Sequence, residues 1–176
     1  MMNKLKRKSV IGLCIRYFIL IAVCGTIFWF SAQNADDSSA QSGRVVDLVI
    51  RCFFPNFIYY TDAAAFALRR FLTVAVRKAA HFSIFCILGM SAFSATIPIN
   101  KRWLRFICGL GFCFAYACAD EFHQTAVAGR AGLFTDVLID TSGAFTGCLL
   151  ALCAGIVWEA HGIIKQRKRE QQEAVN

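Results

Sequence analysis

Apolar residues in this chain come in long runs, at 10–32, 79–97, 103–119 and 137–158, divided by polar stretches. Each run is close to the roughly 20 residues that a helix needs to cross about 30 Å of hydrocarbon. In lipid only helices and closed barrels satisfy their own backbone hydrogen bonds, and these runs lack the apolar–polar alternation of barrel strands. The pattern predicts an all-α fold, a small polytopic membrane bundle of four transmembrane helices. The spans fall at 10–32, 78–97, 103–119 and 136–158. Between them lie a first outer loop at 33–77 and a polar outer loop at 120–135, with a tail at 159–176, all in one domain covering 1–176.

The first outer loop has structure of its own. After the turn and cap formers of 31-SAQNADDSSAQSGR-44, Val45, Val46, Val49, Ile50 and Phe53 recur at helical spacing opposite Arg44, Asp47 and Arg51. Such an amphipathic helix beside a span lies in the interface. Pro55 ends it. Thr61 is placed to cap a second amphipathic helix, with Phe66, Phe71, Leu72 and Val76 opposing Arg69, Arg70 and Arg77, that runs on into the second span. The tail reads as a charged, frayed helix.

Composition agrees with this picture. The chain is 57% hydrophobic and only 17% charged, against about a quarter charged in soluble domains. Basic residues set the orientation. Lys4, Lys6, Arg7 and Lys8 precede the first span, Lys101, Arg102 and Arg105 flank the second-to-third connection, and Lys165, Arg167, Lys168 and Arg169 fill the tail. With four spans these share one side, so both termini are expected in the cytoplasm of a cell membrane. Arg77 and Lys78, beside the outer end of the second span, run against that rule. The net charge of +8 is thereby flanking charge, and nucleic acid is not an expected partner. Trp29, Trp103 and Trp158 fall near span ends, where amphipathic aromatics settle, and Arg16 is close enough to an end to snorkel. The first run is about twice the length of a secretory h-region, which argues against cleavage. Eight of the nine cysteines lie within the spans as small hydrophobes, and Cys52 alone is in a loop.

The candidate chemistry collects at the outer ends of the spans. Lys78 and His81 open the second, Asp120, Glu121, His123 and Gln124 finish the third, Asp136 and Asp140 begin the fourth, and Arg130 lies in the loop between. Gln33 closes the first. Eight of eleven acidic residues are expected outside, so the acids follow the same end. Lys78 and His81 share a helix face, as do Asp120, His123 and Gln124. A carboxylate such as Asp140, more than a turn into a span, costs about 2.5–3.5 kcal/mol at the bilayer centre and less near the edge. It is expected to face the bundle and meet Lys78, Arg130 or a histidine. Gly143 and Gly147 form a small-xxx-small pair that admits a close neighbouring helix.

Each piece has a plainer reading. A histidine at a span end is commonly a hydrogen-bonded interface residue, and the glycine pair states only packing. His81, His123 and the carboxylates are in principle able to bind a divalent ion, but no HExxH-type local motif is present. Neither is a nucleophile elbow. No metal and no cofactor is assigned, and no residue is given a catalytic role. The co-location of acids, imidazoles, an amide and cations at one end still marks the cluster, because intramembrane ionisable groups are functional candidates by default.

The segments 78-KAAHFSIFCILG-89, 120-DEFHQTAVAGR-130 and 136-DVLIDTSGAFTG-147, with 30-FSAQ-33, closely resemble the VanZ-like family over the whole membrane portion. Members are small bacterial integral membrane proteins, and the namesake lowers susceptibility to the glycopeptide teicoplanin. The resemblance implies a role at the cell envelope without an established enzymatic activity. It places the family's polar residues on Lys78, His81, Asp120, Glu121, His123, Gln124, Arg130 and Asp136. The chain departs from the pattern at Ser83 and Phe85, where an acid and a Tyr are frequent, at Ala128, where Pro is common, and at Asp140, where Asn is frequent. Three readings follow: an outward-facing pocket for a lipid-linked envelope precursor or a glycopeptide, a metal-independent membrane hydrolase or transferase acting on such a lipid, and a structural or partner-binding bundle. The bilayer is the one partner common to all three, and the oligomeric state is left open.

Overall fold

In the computed structural model, which describes residues 2–130 and 132–175, the chain is helical almost throughout. Met1, Ala131 and Asn176, which the single-domain reading includes, lie outside the described residues. The helices are α1 (Met2–Ser31), α2 (Ala35–Phe53), α3 (Asp62–Ala95), α4 (Arg102–Gln124) and α5 (Phe134–Val175), with a 3-10 turn at Phe57–Tyr59 before α3. Among the described residues, four helices are long and apolar enough to cross a membrane, within α1, α3, α4 and α5.

Thr61 caps α3 as its position suggests, its hydroxyl accepting from the Ala64 amide at 3.4 Å. The expected amphipathic helix and second span are one continuous helix of 34 residues. At 1.5 Å per residue it is about 50 Å long, so its first turns extend beyond a hydrocarbon slab. Polar residues from Ala35 onward, read from sequence as turn formers, are already helical in α2. The far half of α2 anchors them: Val46 and Ile50 are buried, Asp47 pairs with Arg69 of α3 at 2.7 Å, and Phe53 stays exposed.

α3 is the hub and touches every other helix. Its tightest partner is α5, which runs parallel to it. Gly143 and Gly147 are required here. A Cβ on Gly143 would fall 2.3 Å from the Phe82 carbonyl oxygen, and one on Gly147 would fall 1.9 Å from that of Cys86. The zipper is reciprocal, because a Cβ on Gly89 of α3 would meet the Ala144 carbonyl oxygen at 2.1 Å. Cys148 fills the next step, its thiol 3.3 Å from the Gly89 carbonyl oxygen. Phe85, Leu88, Ala92, Cys113, Ala117 and Ala144 complete a small core. The opposite surfaces stay apolar, with Phe18, Phe71, Ile107 and Leu150 all exposed, as expected where lipid rather than protein covers a helix.

At the end of the bundle where α3 gives way to α4, Arg16 does not simply extend to the interface: its guanidinium donates to the Ser94 hydroxyl. Arg105 lies 4.5 Å over the Phe93 ring, and Arg102 pairs with Glu159.

Candidate functional site

The other end is built from the same parallel α3–α5 pair. Lys78 and His81 are one turn apart on α3, and Asp136 and Asp140 are one turn apart on α5. They form two rungs. Lys78 Nζ donates to Asp136 Oδ1 at 2.7 Å, and His81 Nδ1 lies 3.4 Å from Asp140 Oδ1. The lower rung is the buried one. Asp140 is fully buried, whereas the Lys78–Asp136 side chains remain partly exposed. Of the three partners considered for Asp140, the histidine is the one in place.

α4 brings a third wall. Asp120 is buried and comes close to the lower rung, so that one donor atom from each of His81, Asp120 and Asp140 lies within 4.8 Å of the others. Gln124 is buried behind it, its amide donating to Asp120 Oδ2 at 3.0 Å. Glu121, one residue along, turns to the connecting loop and accepts from the Leu133 backbone amide at 2.9 Å. That bond ties the end of α4 to the chain entering α5. The loop between needs Gly129 at φ 74°, a left-handed conformation open to glycine at little cost.

His123 leaves the cluster. Although it shares a helical face with Asp120 and Gln124, its ring stacks on Phe28 of α1 with centroids 4.9 Å apart. Tyr116, two turns earlier, donates its hydroxyl to the Cys24 carbonyl at 2.7 Å, so this face of α4 holds α1 in place. Arg130 reaches back over α1 and donates to the Phe30 carbonyl at 3.4 Å. Among the described residues, its Nε and Nη1 are buried without a hydrogen-bond partner. Burial, with the Arg77 charge nearby, holds the Arg130 guanidinium below its ordinary range, though an arginine stays charged near neutrality.

Two cavities meet at His81. The larger, about 400 Å³, opens between α1, α2 and α3. Its polar lining includes Ser31, Gln33, Gln41, Arg77, His81 and Arg130, and Ile27, Phe30, Val45, Val76, Ile84 and Ile87 make the rest largely apolar. The smaller, about 180 Å³, lies between α3 and α5 and is lined by Arg77, Lys78, His81, Leu133, Asp136 and Asp140 among others.

The nine candidates Lys78, His81, Asp120, Glu121, His123, Gln124, Arg130, Asp136 and Asp140 thus sit at one end of the bundle in different roles. His81, Asp120 and Asp140 converge, Lys78 and Asp136 pair above them, and Glu121, Gln124 and His123 support the arrangement. Arg77 was not among the candidates, yet it lines both cavities. Its sequence signal was the Arg77–Lys78 pair standing against the charge rule. Phe28 carried no signal, since an aromatic near a span end reads as a lipid contact.

A family model described as VanZ/LLP1 matches residues 16–157. No curated protein and no solved structure matches the chain.

Proposed function

The chain belongs to the VanZ/LLP1 family, and from that premise we propose that it binds an anionic, lipid-linked intermediate of the bacterial cell envelope in its polar pocket. The pocket faces outward in this reading, with both termini in the cytoplasm. One observation carries it. The 400 Å³ cavity joins an apolar wall to Arg77, His81 and two nitrogens of Arg130 that have no hydrogen-bond partner among the described residues. Its size suits a small-molecule site, and its lining suits an amphiphile rather than a peptide or a free sugar. A phosphate or carboxylate head takes charge-assisted hydrogen bonds from guanidinium groups, while the chain lies along Ile27, Ile84 and Ile87. By resemblance to the family's namesake, occupancy of this pocket alters teicoplanin susceptibility through envelope chemistry.

Purified protein in nanodiscs of neutral lipid, titrated with a polyprenyl phosphate, tests this. The wild type is expected to bind saturably, and Arg130→Ala to weaken binding by about 10- to 100-fold, the worth of a hydrogen bond to a charged group. Wild-type affinity in both Arg130→Ala and Arg77→Ala would sink the reading.

The His81–Asp140 pair favours a second reading, a hydrolase or transferase acting on the same lipid, because an imidazole 3.4 Å from a carboxylate is placed to serve as a general base. Release of inorganic phosphate from the lipid by wild type but not by His81→Ala supports it, and no turnover by wild type rejects it.

A further inference from the structure

The cluster of His81, Asp120 and Asp140 has a composition that neither rung explains. Two carboxylates are buried within reach of each other, Asp140 completely. Among the described residues, both Asp140 oxygens and His81 Nδ1 are buried without a hydrogen-bond partner of proper geometry. Among the described residues, His81 is the only basic group within 4.0 Å of Asp140. Lys78 is engaged with Asp136, and Arg130 with the Phe30 carbonyl.

The geometry points to a divalent cation site formed by the His81 imidazole and the carboxylates of Asp120 and Asp140, one ligand from each of α3, α4 and α5. The donor set is one imidazole nitrogen and two carboxylate oxygens, hard to borderline ligands suited to manganese, zinc or iron rather than to a soft ion. Three protein ligands with open positions are the arrangement of a reactive site, where a fourth ligand comes from water or substrate. Metal–ligand bonds of about 2.0–2.2 Å put neighbouring donors roughly 3–4 Å apart, so atoms already within 4.8 Å close on an ion by small side-chain rotations.

The surroundings support that role. Gln124 donates to Asp120 and orients its carboxylate, as partners behind metal ligands do. The α3–α5 glycine zipper begins at Gly143, less than one turn below Asp140, and fixes the separation of two of the three ligand-bearing helices. His81 lines both cavities and Asp140 lines the smaller, so a bound ion sits on their shared wall, beside the place where an anionic head would enter. The site goes beyond the lipid reading and does not depend on it, since its donors are not the guanidinium groups.

The test uses Mn²⁺ alone, added to the full chain purified in detergent and stripped with EDTA, with binding read from loss of the free-ion electron paramagnetic resonance signal. Manganese is chosen because oxygen and nitrogen donors hold it and the nine free cysteines compete poorly for it. Wild type is expected to take up about one ion per chain, and Asp140→Asn and His81→Ala to bind more than about tenfold more weakly. Glu159→Gln, at the far end of the bundle, keeps wild-type uptake. Circular dichroism melts check folding, and if Asp140→Asn does not fold, Asp120→Asn and His81→Gln take its place in the comparison. Absence of saturable uptake by wild type, or equal uptake by the folded cluster variants, overturns the site. Arg130→Ala separates the two ideas: it is expected to lose the polyprenyl phosphate and keep the ion.

Discussion

His81 of α3 and Asp140 of α5 lie 3.4 Å apart at the bottom of a two-rung ladder whose upper rung is Lys78–Asp136 at 2.7 Å. Directly below, Gly143 brings the helix backbones into contact. Parallel helices in lipid gain little from apolar contact, since the surrounding chains are equally apolar. Close backbone packing and polar pairs therefore do the joining, and here they are stacked along one seam.

Gly147→Leu should break that seam. No rotamer removes a Cβ placed 1.9 Å from a backbone carbonyl oxygen, so the helices must separate. The expected loss is at least the roughly 1–3 kcal/mol of an overpacked core, read as a lower melting temperature of the detergent-purified protein. Gly155→Leu is the control, because no described residue lies within 4 Å of a Cβ there. Equal melting of the two variants would remove the seam from the account of stability.

The upper rung is partly exposed, and its worth is small. Asp136→Asn should cost roughly 1 kcal/mol or less, and the double exchange Lys78→Asp with Asp136→Lys should restore most of it. A double exchange that melts no higher than either single variant would show that the pair does not act as a pair.

Glu121 works through the loop. Glu121→Leu leaves the Leu133 amide without its acceptor, at a cost of about 1–3 kcal/mol if that amide stays buried. The damage should be local. Hydrogen exchange is expected to quicken at residues 125–133 while the α3–α5 seam keeps its protection, and slowing or no change in the loop would count against the tie.

Orientation has a direct check. Gln124 is buried and a poor labelling site, whereas Ala126 and Gln166 are exposed. In a Cys52→Ser background, a membrane-impermeant thiol reagent applied to intact cells should label Ala126→Cys and spare Gln166→Cys. The reverse pattern would put the pocket in the cytoplasm and end the envelope-facing proposal.

Much of the frame was legible in the residues. Unbroken apolar runs close to span length, Thr61 before a helix, and two glycines four apart each carry a local physical rule that lipid enforces strictly. Those rules placed the helices, the cap and the close seam on α5. Two local features read differently. The 35–44 stretch is helical because α2 docks on α3, with Asp47 paired to Arg69 and Val46 and Ile50 buried, a contact that its own polar composition does not announce. His123 shares a face with Asp120, yet Phe28 of a distant helix takes its ring.

The amino-acid sequence by itself determined a four-span helical protein with most of its acids and its candidate polar cluster gathered at one end, because backbone and charge in hydrocarbon allow few alternatives. Only the tertiary structure decided which of those groups meet. Lys78 with Asp136, His81 with Asp140 and Asp120, and Arg77 and Arg130 on the larger cavity depend on the rotation and register of three helices. That register is set by glycine contacts between separate helices, so no stretch of chain read alone contains it.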